Sequence, residues 1–102
     1  MLIRIVRMTF RPDAVPAFLE IFTTSQPRIE AQPGCRSVRL WRDSAAPHIL
    51  ATYSIWESEA ALNAYRCSEL FGGVWPRTKA LFAEPAQTFS FEEWSFPAAP
   101  LS

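Results

Sequence analysis

The chain has 102 residues, of which 49% are hydrophobic and 14% aromatic, as expected of one soluble domain that buries its own core. Ten basic and ten acidic residues give a formal net charge of zero, which argues against an electrostatic nucleic-acid binder. No apolar run approaches the roughly 20 residues that span a bilayer, so we expect no membrane association. The chain enters a strand pattern at once, without the regions of a signal peptide, and we expect a cytoplasmic protein.

The cysteines and the histidine give no sign of a reactive cluster. Cys35 and Cys67 lack the close spacing of a zinc or redox motif, so we expect free thiols and no metal site. The only histidine, His48, lies in a predicted hairpin. A cysteine–histidine nucleophile, which needs the two side chains side by side, is therefore not expected.

The first predicted strand, residues 2–10, is rich in large and β-branched apolar residues and contains neither glycine nor proline. One of its faces carries Ile3 and Ile5. The strand is apolar on both faces, which is typical of a central strand that is covered on both sides. The other face carries Leu2, Val6, Met8 and Phe10.

A helix is predicted next. Pro12 suits its first turn, and apolar residues then recur at helical spacing. Pro27 lacks a backbone N–H and its ring clashes with the preceding turn, which predicts a kink or a non-α turn near residues 23–26. The Pro-Gly pair at residues 33–34 ends the helix. The apolar stripe consists of Val15, Phe18, Leu19, Phe22 and Ile29.

A hairpin follows the helix. Residues 35–43 and 48–56 are typical of strands, and the short cluster of turn residues between them predicts an antiparallel pair. Trp56 stands at the end of the second strand. We expect it to be a structural residue of this corner rather than a substrate contact, with its indole N–H bonded to a backbone carbonyl.

Two helices are predicted after the hairpin. Ser58 and Ser68 are good N-cap residues for them, because a serine hydroxyl accepts a hydrogen bond from a free N–H of the first turn. Gly72 and Gly73 weaken the second helix by roughly 1 kcal/mol each relative to alanine. We interpret these glycines as a possible place of close approach to the backbone.

The last predicted strand covers residues 87–94, so that residues 1–94 form the domain and residues 95–102 a C-terminal tail. The order of elements fits an α+β, ferredoxin-like βαββαβ fold: a four-stranded antiparallel sheet with helices on one face. The other face carries apolar residues that no further layer of this chain can cover. A homodimer through the sheet face is therefore expected.

Several stretches together resemble the antibiotic biosynthesis monooxygenase (ABM) family of dimeric α/β-barrel proteins. The resemblance covers residues 2–94, and the ordered set is typical of the family rather than of one activity within it. The stretches are IRIVRMTFRP at the start, PGC followed by RLWRD, TYSIWESEAALNAY, and SELF with Trp75 downstream.

The resemblance implies a homodimer in which each subunit holds a ligand cleft between helices and sheet. It also implies an aromatic small-molecule substrate, quinol-like or anthrone-like, that is oxygenated with dioxygen without flavin, haem or metal. The ligand-pocket candidates are Val6, Met8, Tyr53, Trp56, Tyr65, Phe71 and Trp75.

Departures from the family pattern keep a second hypothesis open. Haem-degrading relatives carry an asparagine, a tryptophan and an iron-binding histidine at positions that correspond to Val6, Tyr65 and Trp75. None of the three matches, so haem degradation is not expected. No histidine base stands near Tyr65, which leaves Tyr53, Tyr65 and Arg4 as polar candidates and the catalytic residues unknown. The alternative is a non-catalytic small-molecule-binding or regulatory dimer of the same fold.

Overall fold

A computed structural model describes residues 1–94 as a single sheet with helices. In chain order the elements are β1 (Leu2–Thr9), a short 3-10 helix (Pro12–Ala14), α1 (Val15–Glu30), β2 (Cys35–Arg42), β3 (Ile49–Trp56), α2 (Glu59–Arg66), α3 (Glu69–Lys79) and β4 (Gln87–Glu92). The strands are antiparallel and lie in the order β2-β3-β1-β4. This confirms the predicted α+β, ferredoxin-like βαββαβ fold. The predicted tail lies outside the described residues.

The central position of β1 follows from its two apolar faces. It pairs with β3 on one side and β4 on the other, so that Val6 stands opposite both Thr52 and Thr88. We call the face that carries Val6 and Met8 the inner face, because the helices cover it, and the face that carries Ile3 and Ile5 the outer face. The predicted division of β1 between the two faces is confirmed.

The core lies at one end of the inner face. Met8, Phe10 and Leu50 from the sheet and its connections pack against Phe18 of α1, and each of the four is no more than 3% exposed. The rings of Phe10 and Phe18 stack with their centroids 4.4 Å apart. Phe82, just after α3, contacts Phe10 edge to face at 5.3 Å and closes this end of the domain.

Helix α1 departs from the prediction in two ways. It runs as α-helix without interruption through Pro27, so the non-α turn predicted for residues 23–26 is wrong. Packing outweighs the local cost of the proline, because Ile21 and Ser25 are buried on the face that meets the sheet. Leu19, assigned to the apolar stripe, is 41% exposed and lies off that face.

The predicted caps are confirmed. The Ser58 hydroxyl accepts a hydrogen bond from the Ala61 N–H (3.1 Å), and the Ser68 hydroxyl accepts one from the Phe71 N–H (3.2 Å). Gly72 has open space around it: a Cβ built there meets no other atom within 4 Å, and the same holds for Gly73. The interpretation of these glycines as a place of close approach is therefore wrong within residues 1–94.

The outer face is apolar and uncovered within the described chain. Phe89 lies opposite Ile5 and Phe91 opposite Ile3, so four large apolar residues stand together across β1 and β4. Phe89 is 43% exposed and Phe91 52%. Across residues 1–94, no helix is both long enough and apolar enough to cross a membrane.

Candidate functional site

A cavity of about 250 Å³ lies between the inner face of the sheet and the three helices. Strands β1 and β3 form its floor, while α2 and α3 form a wall on one side and α1 a wall on the other. Most of the lining is apolar and aromatic, as is usual for small-molecule sites. Six of the predicted ligand-pocket residues are brought together around it: Val6, Met8, Trp56, Tyr65, Phe71 and Trp75.

Tyr53 is the exception, and its assignment to the pocket is wrong. Side chains alternate along β3, so the cavity receives Thr52 and Ser54, and Tyr53 projects from the outer face. There its ring stacks on Trp41, with centroids 4.7 Å apart and planes 28° from parallel. Arg39, directly opposite Tyr53 on β2, lies on the same outer face and is exposed.

Trp56 packs at the corner where β3 ends, and it also lines the cavity. It is 1% exposed, and its indole N–H donates to the Ser54 Oγ at 3.0 Å rather than to the predicted backbone carbonyl. The Ser54 hydroxyl in turn donates to the backbone carbonyl of Arg4 at 3.4 Å. The buried N–H is thus satisfied through a serine on the same face of β3, two residues before Trp56.

A continuous row of aromatic rings forms one wall. Trp56 stacks on Tyr65 at 5.2 Å, and Tyr65 meets Phe71 edge to face at 5.3 Å. Phe71 then stacks on Trp75 at 5.8 Å. These contacts follow from the helical spacing: Phe71 and Trp75 are one turn apart on α3, and Tyr65 ends the same face of α2. The wall offers flat, rigid surfaces to a flat ligand.

The phenol of Tyr65 is a hydrogen-bond donor in this cavity. Burial raises its pKa to about 12, with a smaller contribution from Cys35, so that the group holds its proton at neutral pH. A general base at neutral pH needs a pKa near 7, which rules out this role for Tyr65. Among residues 1–94 its hydroxyl makes no hydrogen bond, so the donor is available to a ligand or water.

Arg4, one of the polar candidates, lies on the inner face and lines the cavity. Its guanidinium is half-buried in the cavity lining, and Nη1 donates to the Ser90 Oγ at 2.8 Å. Burial lowers the pKa of Arg4, and the positive charge of Arg66 lowers it further. Arg66, in the last turn of α2, lines the same cavity. The polar end of the site is therefore cationic.

The other polar residues of the lining are engaged within their own helices. The Ser25 hydroxyl donates to the Ile21 carbonyl at 2.7 Å, and the Thr78 hydroxyl donates to the Val74 carbonyl at 2.9 Å. In the part of the chain that the structure describes, the lining includes neither a histidine nor a carboxylate. Within residues 1–94, His, Cys, Asp and Glu side chains form no group of three or more that could hold a metal ion.

A sequence model of the antibiotic biosynthesis monooxygenase family matches residues 1–74. The chain belongs to that family. The match includes the floor of the cavity, Trp56, Tyr65 and Phe71, and stops one residue before Trp75. No curated protein sequence matches the chain.

Solved structures of other proteins share this fold over almost the whole chain. A crystal structure described as an antibiotic biosynthesis monooxygenase is 20% identical, covers 92% of this chain and 99% of its own, and has a TM-score of 0.86. Rv0793 from Mycobacterium tuberculosis is 22% identical, with coverages of 95% and 98% and a TM-score of 0.85. A conserved protein from Methanosarcina mazei Go1 is 18% identical, with coverages of 92% and 94% and a TM-score of 0.86. At these identities the likeness establishes the fold.

Sequence reasoning missed one residue of this ABM cavity that matters, Arg66. Arg66 lies one helical turn after Leu62, on the same face of α2, and both line the cavity. Spacing alone could have found it. Thr88 and Ser90 of β4 were missed for a similar reason, because alternation places them opposite Val6 and Arg4 on the inner face.

Proposed function

We propose that the chain is a cofactor-independent monooxygenase of the ABM type, which oxygenates an electron-rich aromatic small molecule with dioxygen. The observation that carries the proposal is the aromatic wall of Trp56, Tyr65, Phe71 and Trp75 along a cavity in a chain of this family. A dry aromatic site orients a flat substrate and strengthens every polar contact made inside it. The protein acts in the cytoplasm as a homodimer.

The volume of the cavity limits the size of the substrate. An engineered cavity of about 150 Å³ holds benzene. The present volume of about 250 Å³ therefore suits a quinol of one or two rings better than a three-ring anthrone. Such a ring can lie flat against the stacked pairs of the aromatic wall, with its hydroxyl within reach of the Tyr65 phenol.

The reaction balances without a cofactor. A quinol and one dioxygen give a hydroxylated quinone and one water: one oxygen atom bonds to a ring carbon and the other leaves as water. The substrate first loses a phenolic proton, and its anion passes an electron to dioxygen before the two radicals combine. The described lining supplies no base, so the proton leaves to water, and the Tyr65 hydroxyl donates a hydrogen bond to the developing oxyanion.

Oxygen consumption by the purified protein tests the proposal. With a panel of one-ring and two-ring quinols we expect uptake above the uncatalysed rate, with equal molar formation of hydroxylated quinone. Tyr65→Phe should lower kcat/KM by about tenfold, because it removes a hydrogen bond to a charged oxygen. The matched control is Tyr53→Phe on the outer face, which removes the same hydroxyl outside the cavity.

A non-catalytic binding or regulatory dimer is the second candidate, and one observation favours it. Among residues 1–94 the cavity lining offers no histidine or carboxylate for acid–base work. If quinols bind to the protein but no uptake exceeds background across the panel, the monooxygenase is excluded and the binding protein remains.

The homodimer is proposed through the outer face. Its support is the apolar surface formed by Ile3, Ile5, Phe89 and Phe91, which no part of residues 1–94 covers. Burying such a surface against a second copy is favourable by roughly 25 cal/mol per Å² of apolar area. A C2 arrangement places the same surface on both sides of the interface.

A further inference from the structure

The side chain of Arg4 has more donors than the protein uses. A guanidinium carries five N–H groups. Within residues 1–94, Arg4 makes one side-chain hydrogen bond, to the Ser90 Oγ. That bond orients the planar group where it lines the cavity, and the remaining donors are open to solvent or to a ligand.

A second cation stands at the same end of the cavity. Arg66 lines the cavity and lies close enough to Arg4 to disfavour its charge. Placing two like charges together is unfavourable unless an anion lies between them. The only ion pair among residues 1–94 joins Arg36 and Glu57 elsewhere, and Glu92, two residues beyond Ser90 on β4, pairs with neither arginine.

We propose that the ligand of this cavity is an aromatic carboxylic acid, bound with its rings against the aromatic wall and its carboxylate between Arg4 and Arg66. The inference rests on the proposed function, since it takes the cavity to be the substrate site. It adds that the quinol ring carries an ionised acid group. The two cationic side chains and the aromatic wall belong to the lining of one cavity, as such a two-part ligand requires.

The guanidinium geometry favours a carboxylate over a phenolate. A carboxylate accepts two parallel N–H bonds from a planar guanidinium, whereas a phenolate offers a single oxygen. Arg4 is bonded to Ser90 and half-buried, so a charge-assisted bond to it is less screened by water than one at a fully exposed position. Arg66 is exposed, so its contribution is the smaller of the two.

Calorimetric titration at pH 7 with three probes of one shape tests the inference: 2-naphthoate, the neutral 2-naphthamide and 2-naphthol. We expect naphthoate to bind at least about tenfold more tightly than the amide. Arg4→Gln should abolish that preference by weakening naphthoate binding far more than amide binding, and Arg4→Lys should restore part of it. Arg66→Gln should reduce naphthoate affinity about two- to threefold.

Arg77→Gln is the matched control, because it removes the same charge from an exposed position of α3 outside the cavity lining. Thermal unfolding of each variant establishes that it is folded, and Arg66→Gln, changed at an exposed position, tests the inference should Arg4→Gln fail to fold. Equal binding of acid and amide overturns the inference and leaves the proposed function standing. Naphthol binding as tight as naphthoate, with the same loss in Arg4→Gln, overturns it in favour of a phenolate. Binding of none of the three overturns the inference, and oxygen uptake with the quinol panel then tests the proposed function independently.

Discussion

The two faces of the sheet are built from the same strands and are both apolar, yet only the inner face is covered by the chain. On the inner face Met8 and Leu50 are 2–3% exposed, whereas on the outer face Trp41, Phe89 and Phe91 remain about half exposed. One end of the inner face is closely packed, and the rest of it lines an aromatic cavity whose charged side chains are cationic. The outer face has the composition of an interface and no partner within residues 1–94. A fold of this size thus uses one sheet to line a cavity on one face and to present an apolar surface on the other.

The largest expected difference between the faces is in how much the loss of a phenylalanine side chain lowers the free energy of unfolding. Phe10→Ala should lower the free energy of unfolding by about 3–5 kcal/mol, because it empties a fully buried site between Phe18 and Phe82. Phe91→Ala on the outer face should act only through assembly. Urea unfolding at several protein concentrations separates the two, since the first effect is independent of concentration and the second grows with it. If both variants lost the same free energy of unfolding at every protein concentration, this difference between the two faces would be refuted.

A charge placed on the outer face tests the assembly directly. Ile5→Glu should weaken the dimer by about 100-fold or more, because it buries an unpaired carboxylate at the centre of the interface. Sedimentation velocity or light scattering measures the change, and Thr24→Glu on the exposed side of α1 is the control with the same added charge. A wild-type protein that stays monomeric at high concentration would refute the role given to this face.

The inner face should show a pH dependence that the outer face lacks. The raised pKa of Tyr65 means that the folded chain holds this proton more tightly than the unfolded chain, whose tyrosine titrates near 10. Its contribution to stability is therefore complete below pH 10 and is lost as the pH rises through about 12. Tyr65→Phe should lose less stability than wild type between these values, whereas Tyr53→Phe should follow the wild type. Parallel curves of unfolding free energy against pH for the wild type and both variants would contradict this prediction.

The smallest expected change in stability comes from a substitution on the side of α3 that faces away from the sheet. Gly72→Ala should raise the free energy of unfolding by about 0.5–1 kcal/mol, because the helix gains a better residue and the new methyl group meets open space. Thermal unfolding measures it. Should the variant instead weaken the dimer, the helical layer would belong to the interface and the comparison of the two faces would need revision.

Local rules predicted the fold well, because strands, caps and turns are set over a few residues. Ser58 and Ser68 cap their helices as expected, and the division of β1 between two faces follows from simple alternation. The same alternation places Tyr53 of β3 on the outer face, against the prediction. Counting by twos back from buried Trp56 gives Ser54 and Thr52 and leaves Tyr53 on the outer face.

Other features depend on contacts between distant parts of the chain. Pro27 predicts a break by local rules, but burial of the helix face against the sheet keeps α1 helical. The direction of Arg4 follows from alternation, but its bond to Ser90, 86 residues away, depends on the pairing of β1 with β4. The same holds for the nearness of Arg4 and Arg66, because it requires the packing of α2 on the sheet.

The positions of the tryptophans give the protein two separate optical reporters. Trp56 and Trp75 line the cavity, so a bound aromatic should quench their emission and accept energy from them. Trp41 stands on the outer face, where its emission should shift to the blue when that face loses water. Trp94 is 81% exposed and does not line the cavity, so its emission adds a background signal. Replacing it with phenylalanine would leave a chain whose intrinsic fluorescence follows occupancy and assembly in the same sample.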